Sequence, residues 1–139
     1  MFWDSSALVP LLLPEDRSAA LTALLAEDRE ITIWWATPLE CQSAIHRRHR
    51  EAPLTPASFS AAAERLRAVV ELADTVAPTD ELRRRAARLV AVHPLRAADA
   101  LQLAAALLWC EEQPHAEIFI SLDGRLRDAA RNEGFDVKP

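Results

Sequence analysis

Glu117-Ile118-Phe119-Ile120-Ser121-Leu122-Asp123 runs straight into Gly124-Arg125-Leu126-Arg127-Asp128-Ala129-Ala130-Arg131-Asn132-Glu133, and then into Gly134-Phe135-Asp136-Val137. The β-branched and aromatic run over 117–121 predicts a buried strand. The spacing after it predicts a helix over 124–133, with Gly134 as its C-terminal cap and a short strand over 135–137. Strands separated by helices imply a parallel sheet with helices on both faces.

The same alternation extends toward the N-terminus. Met1-Phe2-Trp3 reads as a buried strand ended by Asp4, with Ser5 or Ser6 capping a helix through Leu13. Pro10 is expected to disturb that helix and Pro14 to end it. A second helix is expected from Glu15 to Ala26, its inner face made by Ala20, Leu21, Leu24 and Leu25. Residues 31–35 predict a strand. Thr37-Pro38-Leu39-Glu40 predicts a capped helix start, continuing to Arg50. Thr55-Pro56 opens another helix, with a stripe of Phe59, Ala62, Leu66 and Val69 or Val70 that faces the core or, alternatively, a partner. A strand over 74–77, a helix over 79–92 and a long Ala/Leu helix over 96–112 complete the order. With no linker and no repeat, the expectation is one α/β domain over residues 1–139.

Composition narrows the function. No stretch approaches the roughly 18 apolar residues of a membrane span, and Met1 to Asp16 lacks the basic start of a secretion signal, so the protein is expected to be cytoplasmic. Cys41 and Cys110 have no zinc spacing and read as small buried residues. The net charge is −5, which argues against binding nucleic acid through bulk charge. Its one lysine is Lys138, so any phosphate contact falls to arginine.

Three acids stand where strands give way to helices: Asp4, Glu40 and Asp123. In a parallel sheet these ends share one edge, the edge at which such folds bind ligands. A fourth acid, Asp99, lies in the first turn of the Ala/Leu helix. Each has a plain structural explanation alone: Glu40 as the far half of a capping box with Thr37, Asp123 as a helix cap, Asp99 at a positive helix end, Asp4 as a turn acid. Converging on one edge they cannot all stay bare. Two carboxylates 4 Å apart repel by roughly 4 kcal/mol at an effective dielectric near 20. They must protonate, be separated by water, or bind a cation. Oxygen donors without His or Cys favour Mg²⁺ or Mn²⁺, and phosphodiester hydrolysis is the chemistry such a centre serves.

At these residues the sequence resembles the PIN-domain family, and the VapC toxins within it. The matching pieces are Phe2-Trp3-Asp4-Ser5-Ser6-Ala7-Leu8-Val9, Pro38-Leu39-Glu40, Arg96-Ala97-Ala98-Asp99-Ala100-Leu101-Gln102-Leu103-Ala104 and Ile120-Ser121-Leu122-Asp123. No piece is specific alone; their order and spacing together are. The resemblance implies a PIN fold and a Mg²⁺- or Mn²⁺-dependent endoribonuclease, inhibited by a cognate antitoxin and working as a homodimer. It implies Asp4, Glu40 and Asp99 as core acids, Asp123 as the more variable fourth, and Ser6 as a supporting hydroxyl. Asp4 and Asp99 are the main expected metal ligands. The pair Trp34-Trp35 departs from the family's usual strand, one Trp suiting the core and the other an interface.

Arginines supply the candidate RNA contacts. Arg96, one turn from Asp99, is the foremost; Arg47 and Arg48, in the His46-Arg47-Arg48-His49-Arg50 run, are the others, although that run also reads as a solvated basic face. Arg83, Arg84, Arg85 and Arg88 read as a second solvated face. Two other functions fit the same acids: a metal-dependent phosphohydrolase of small molecules, and a PIN-fold module that binds RNA or a partner without cleaving it. A phosphorelay receiver would need an interior lysine, which is lacking.

Overall fold

The computed structural model describes residues 1–13, 18–27 and 30–139. Among them run β1 (Phe2–Trp3), α1 (Ser5–Leu12), α2 (Ser18–Glu27), β2 (Thr32–Trp34), α3 (Thr37–Glu51), α4 (Pro56–Leu72), β3 (Asp74–Val76), α5 (Asp80–Val92), α6 (Ala97–Trp109), β4 (Ile118–Ile120), α7 (Gly124–Glu133) and β5 (Asp136–Lys138). The strands form one sheet in the order β3-β2-β1-β4-β5, and every pairing is parallel. Chain order reverses between β1 and β4, which makes their C-terminal ends the crevice where a parallel sheet offers a binding site.

Side-chain alternation along the strands splits the core in two. Phe2, Trp34 and Phe119 point to one face and pack with α5, α6 and α7. Trp3, Ile33 and Ile120 point to the other and pack with α1, α3 and α4. Strands covered on both faces have no polar alternation, which is why they read as short continuous apolar runs. Helices thus lie on both faces, as expected. Trp34 is the core tryptophan of its pair; Trp35 is 58% exposed.

Several local readings are corrected. α1 continues through Pro10, which is buried, and the Leu13 N–H still reaches the Val9 carbonyl at 2.9 Å. A proline near the end of so short a helix removes one bond, and the surrounding core compensates. The stop expected at Pro14 and the start expected at Glu15 lie outside the described residues. In α2 only Leu21 is fully buried, and Ala20 is exposed. Thr37 is not a cap: α3 starts from Ala36, whose side chain makes no capping bond, and Thr37 is fully buried inside the first turn. The Phe59–Leu66 stripe is core at Ala62 and Leu66 and partly buried at Phe59 and Val70. The basic run at 46–50 is a solvated face, with His46, Arg47, Arg48 and Arg50 exposed; within it His49 is half-buried, packs edge-on against Phe59 as His46 does, and holds the α3–α4 turn by accepting the Leu54 N–H on Nδ1 at 3.0 Å. Arg85 is no solvated residue. It bridges Glu112 and Glu133, and Glu133 also meets buried His93 at 2.6 Å.

Candidate functional site

Asp4 begins the site because β1 ends there. Its N–H bonds to the Ile120 carbonyl at 2.9 Å, which fastens the residue across the β1–β4 boundary, and Asp4 itself, not Ser5 or Ser6 as expected, is the N-cap of α1. Its carboxylate is buried and accepts from the Ser6 N–H at 3.2 Å, from the Ser6 hydroxyl, and from the Ser121 hydroxyl at 3.0 Å. The serines are braced in turn. The Leu122 N–H donates to Ser6 Oγ at 2.8 Å and the Asp123 N–H to Ser121 Oγ at 3.1 Å. These neutral donors orient the carboxylate without cancelling its charge.

Glu40 arrives from the first turn of α3. With Thr37 turned inward, its carboxylate makes no capping bond and instead accepts from Gln102 Nε2 at 2.7 Å. Asp99 stands one turn before Gln102 on α6. The Arg96 N–H donates to it at 3.3 Å. That is the returning half of a capping box only, because a guanidinium has no acceptor to offer the other half.

Asp4, Glu40, Asp99, Ser5, Ser6, Gln102 and Leu122 all line one open groove of about 620 Å³. Burial pushes the Asp4 carboxyl above its usual range; the Ser6 and Ser121 bonds pull it back, and the Asp99 charge adds to the rise. Burial also raises Glu40, against bonds from Ser5 and Gln102 and with repulsion from Asp4 and Asp99. Cys41, behind them, is pushed up to about 12 by burial and then by the same two acids, Asp4 and Glu40. The three carboxylates therefore feel one another as a single negative centre. Among the described residues, no arginine, lysine or histidine forms an ion pair with any of them.

The other predicted residues are placed differently. Asp123 caps α7, accepting the Leu126 N–H at 2.9 Å, and its neighbour Leu122 rather than Asp123 itself lines the groove. Of the three arginines, Arg47 lines the groove. Arg48 turns to the Ala52 carbonyl and lines a separate hollow with Leu54 and Arg65. Arg96 is exposed at the N-cap of α6 and is not among the residues lining the groove. Sequence reasoning missed Gln102, Ser121 and Thr37 as parts of the site. A polar side chain in an Ala/Leu helix was the available signal for Gln102.

As the side chains stand, no three His, Cys, Asp or Glu among the described residues are grouped to grip one metal ion. The donor set nevertheless fits a hard cation: all oxygen, anionic, and without an ion-paired protein counter-charge. Mg²⁺ in particular keeps most of its waters and takes only one or two carboxylates directly.

Residues 1–132 match the PIN domain family model. The chain belongs to the PIN-domain family. No curated protein matches it. PIN domains are typically nucleases and generally use divalent metal ions. The PIN match covers every element from β1 almost to the end of α7, so it includes the groove and all three carboxylates that line it.

Proposed function

We propose that this PIN domain is a VapC-type toxin endoribonuclease, hydrolysing RNA phosphodiester bonds with Mg²⁺ or Mn²⁺. One observation carries the reading: Asp4, Glu40 and Asp99, delivered by β1, α3 and α6, line a single groove at the sheet's reversal point with no ion-paired counter-charge among the described residues. Asp4 and Asp99 are the principal metal ligands in this reading, Glu40 completes the set, and Asp123 acts through water from the α7 cap. A bound Mg²⁺ or Mn²⁺ supplies Lewis-acid polarisation of the phosphate and a low-pKa water.

The protein's own share is geometric and electrostatic. Ser6 and Ser121 hold Asp4 in one orientation, and Gln102 holds Glu40. Arg47 presents a planar fork at the groove wall and anchors a neighbouring phosphate. The open form of the groove suits a polymer running through it better than an enclosed small substrate. The cognate antitoxin, the homodimer, the cytoplasmic location and the single-domain organisation of residues 1–139 belong to the same proposal through the VapC resemblance.

The test is incubation of antitoxin-free protein with a pool of structured RNAs in Mg²⁺, in Mn²⁺ and in EDTA, beside Asp4→Ala and Asp99→Ala. Cleavage that needs metal and disappears in both variants is the expected result. Binding of metal and RNA without cleavage would favour a non-cleaving module. Hydrolysis of small phosphate esters, uncompeted by RNA, would favour the phosphohydrolase.

A further inference from the structure

α6 is a helix of alanine and leucine whose inward positions, Ala100 and Leu103 through Leu107, are almost fully buried. Gln102 sits among them at 1% exposure. Burying a primary amide is unfavourable unless both its ends find partners, so its partners explain its presence. Nε2 lies 2.7 Å from Glu40 Oε2 and 3.2 Å from Thr37 Oγ1; Thr37 Oγ1 also lies 3.4 Å from Gln102 Oε1. An ionised carboxylate only accepts, so the amide turns its NH₂ toward Glu40. Thr37, itself completely buried, locks the amide from the side.

We infer that Gln102 is a positioning residue, which aims the Glu40 carboxylate into the groove and ties it to the helix that carries Asp99. The inference rests on the metal-binding reading above. Thr37 and Glu40 are three apart on α3, and Asp99 and Gln102 are three apart on α6, so each pair shares one helical face. The Gln102–Glu40 bond therefore joins one acid's helix to the other's, and the spacing of the two carboxylates follows the packing of α6. A neutral amide suits this task better than Arg or Lys. It fixes the carboxylate while leaving its negative charge for a cation, whereas a cationic partner would neutralise the site and compete with the metal. The Ser5 hydroxyl also reaches Glu40, from α1, but it is half-exposed and lacks the buried anchor that Thr37 gives Gln102.

Such supporting residues typically change metal affinity by ten- to a hundredfold when removed. The measurement is Mn²⁺ binding by titration calorimetry and by loss of the free-ion paramagnetic signal. It compares wild type, Gln102→Met, Thr37→Val, Glu40→Gln and the double variant Gln102→Met/Glu40→Gln, with a thermal melt of each. Gln102→Met keeps volume and removes the amide; it is expected to weaken Mn²⁺ binding about tenfold. Thr37→Val, which keeps Gln102 but unlocks it, is expected to weaken binding less, and it carries the test where Gln102→Met fails to fold. In the Glu40→Gln background, removing the amide is expected to add no further loss, because its effect passes through Glu40. Unchanged affinity in Gln102→Met and Thr37→Val would overturn the inference. So would losses that simply multiply in the double variant, since these would mark a role independent of Glu40. A folded wild type that binds no Mn²⁺ would fail earlier, overturning the metal reading together with this inference, and is told apart by that first titration alone.

Discussion

Asp4 concentrates the physical tension of this molecule. A carboxylate that is nearly inaccessible, held by neutral donors from Ser5, Ser6 and Ser121 and facing Asp99, is stabilised for orientation rather than for charge. The sign of its effect on stability follows. Well below 3.8, the ordinary Asp value, the group is protonated whether the chain is folded or not. Above that value the unfolded chain releases the proton while the folded chain, with its pKa raised by burial, retains it. Stability is therefore lost as pH rises, until pH passes the raised folded value. Glu40, raised by burial from 4.5, has the same sign. In EDTA, Asp4→Asn should melt higher than wild type at neutral pH, by on the order of 1 kcal/mol, the scale on which relieving a functional site stabilises a protein. The gap should close toward acid pH. Equal melting curves across the range would show that the burial of Asp4 is already compensated. The same substitution should abolish metal-dependent RNA cleavage. Asp4, Glu40 and Asp99 were legible as acids because each sits at a strand end or helix start, where local pattern is enough. Gln102 and Ser121 were not, because their partners lie 62 and 117 residues away along the chain.

At the scale of elements, local chemistry determined where most helices stop better than which side chain caps them; the exception is α6, expected through residue 112, which ends at Trp109 before a turn with positive φ at Glu111 and Glu112. α7 runs over 124–133 as the sequence implies, and Gly134 takes φ +105° as its cap. A side chain there meets the left-handed penalty, about 1–2 kcal/mol. Its Cβ would also stand 3.3 Å from Pro114 Cγ, which is tight. Gly134→Ala should lower the unfolding free energy by an amount in that range while leaving activity at low temperature intact, since α7 contributes its other end to the sheet's binding edge. Chemical denaturation with a parallel cleavage assay checks both halves. The start of α3 went the other way. Thr37-Pro38-Leu39-Glu40 satisfies the local rule for a capping box, yet both polar side chains engage Gln102 on α6. A tertiary bond to a buried amide outranked a local one. The sequence window around 37–40 is identical in the two cases, so the distinction was not available from it. Asp123 shows the converse: the local cap is kept, and the groove is lined by Leu122 instead.

Over the whole molecule the difficulty is charge. A chain of net charge −5, with Asp4, Glu40 and Asp99 gathered in the groove, has to admit a polyanion. Several of its arginines are engaged elsewhere: Arg85 on Glu112 and Glu133, Arg67 on Glu71, Arg83 on Asp80, Arg131 on Asp128. Arg47 is the one arginine that lines the groove among the described residues. RNA affinity should therefore be low in EDTA and depend on few phosphate contacts, giving a shallow dependence on salt. On a single strand, each phosphate that an arginine neutralises contributes about 0.7 to the slope of log K against log salt. Anisotropy titrations of a labelled single-stranded RNA against the cleavage-dead Asp4→Asn, with and without Arg47→Ala, isolate this residue. The expected outcome is weaker binding in the double variant, with the slope reduced by about that one increment. Asp4→Asn itself should bind RNA more tightly than wild type in EDTA, because one groove charge is gone. An unchanged slope on removing Arg47 would mean that the RNA enters along another face, and the groove would then receive only the scissile phosphate.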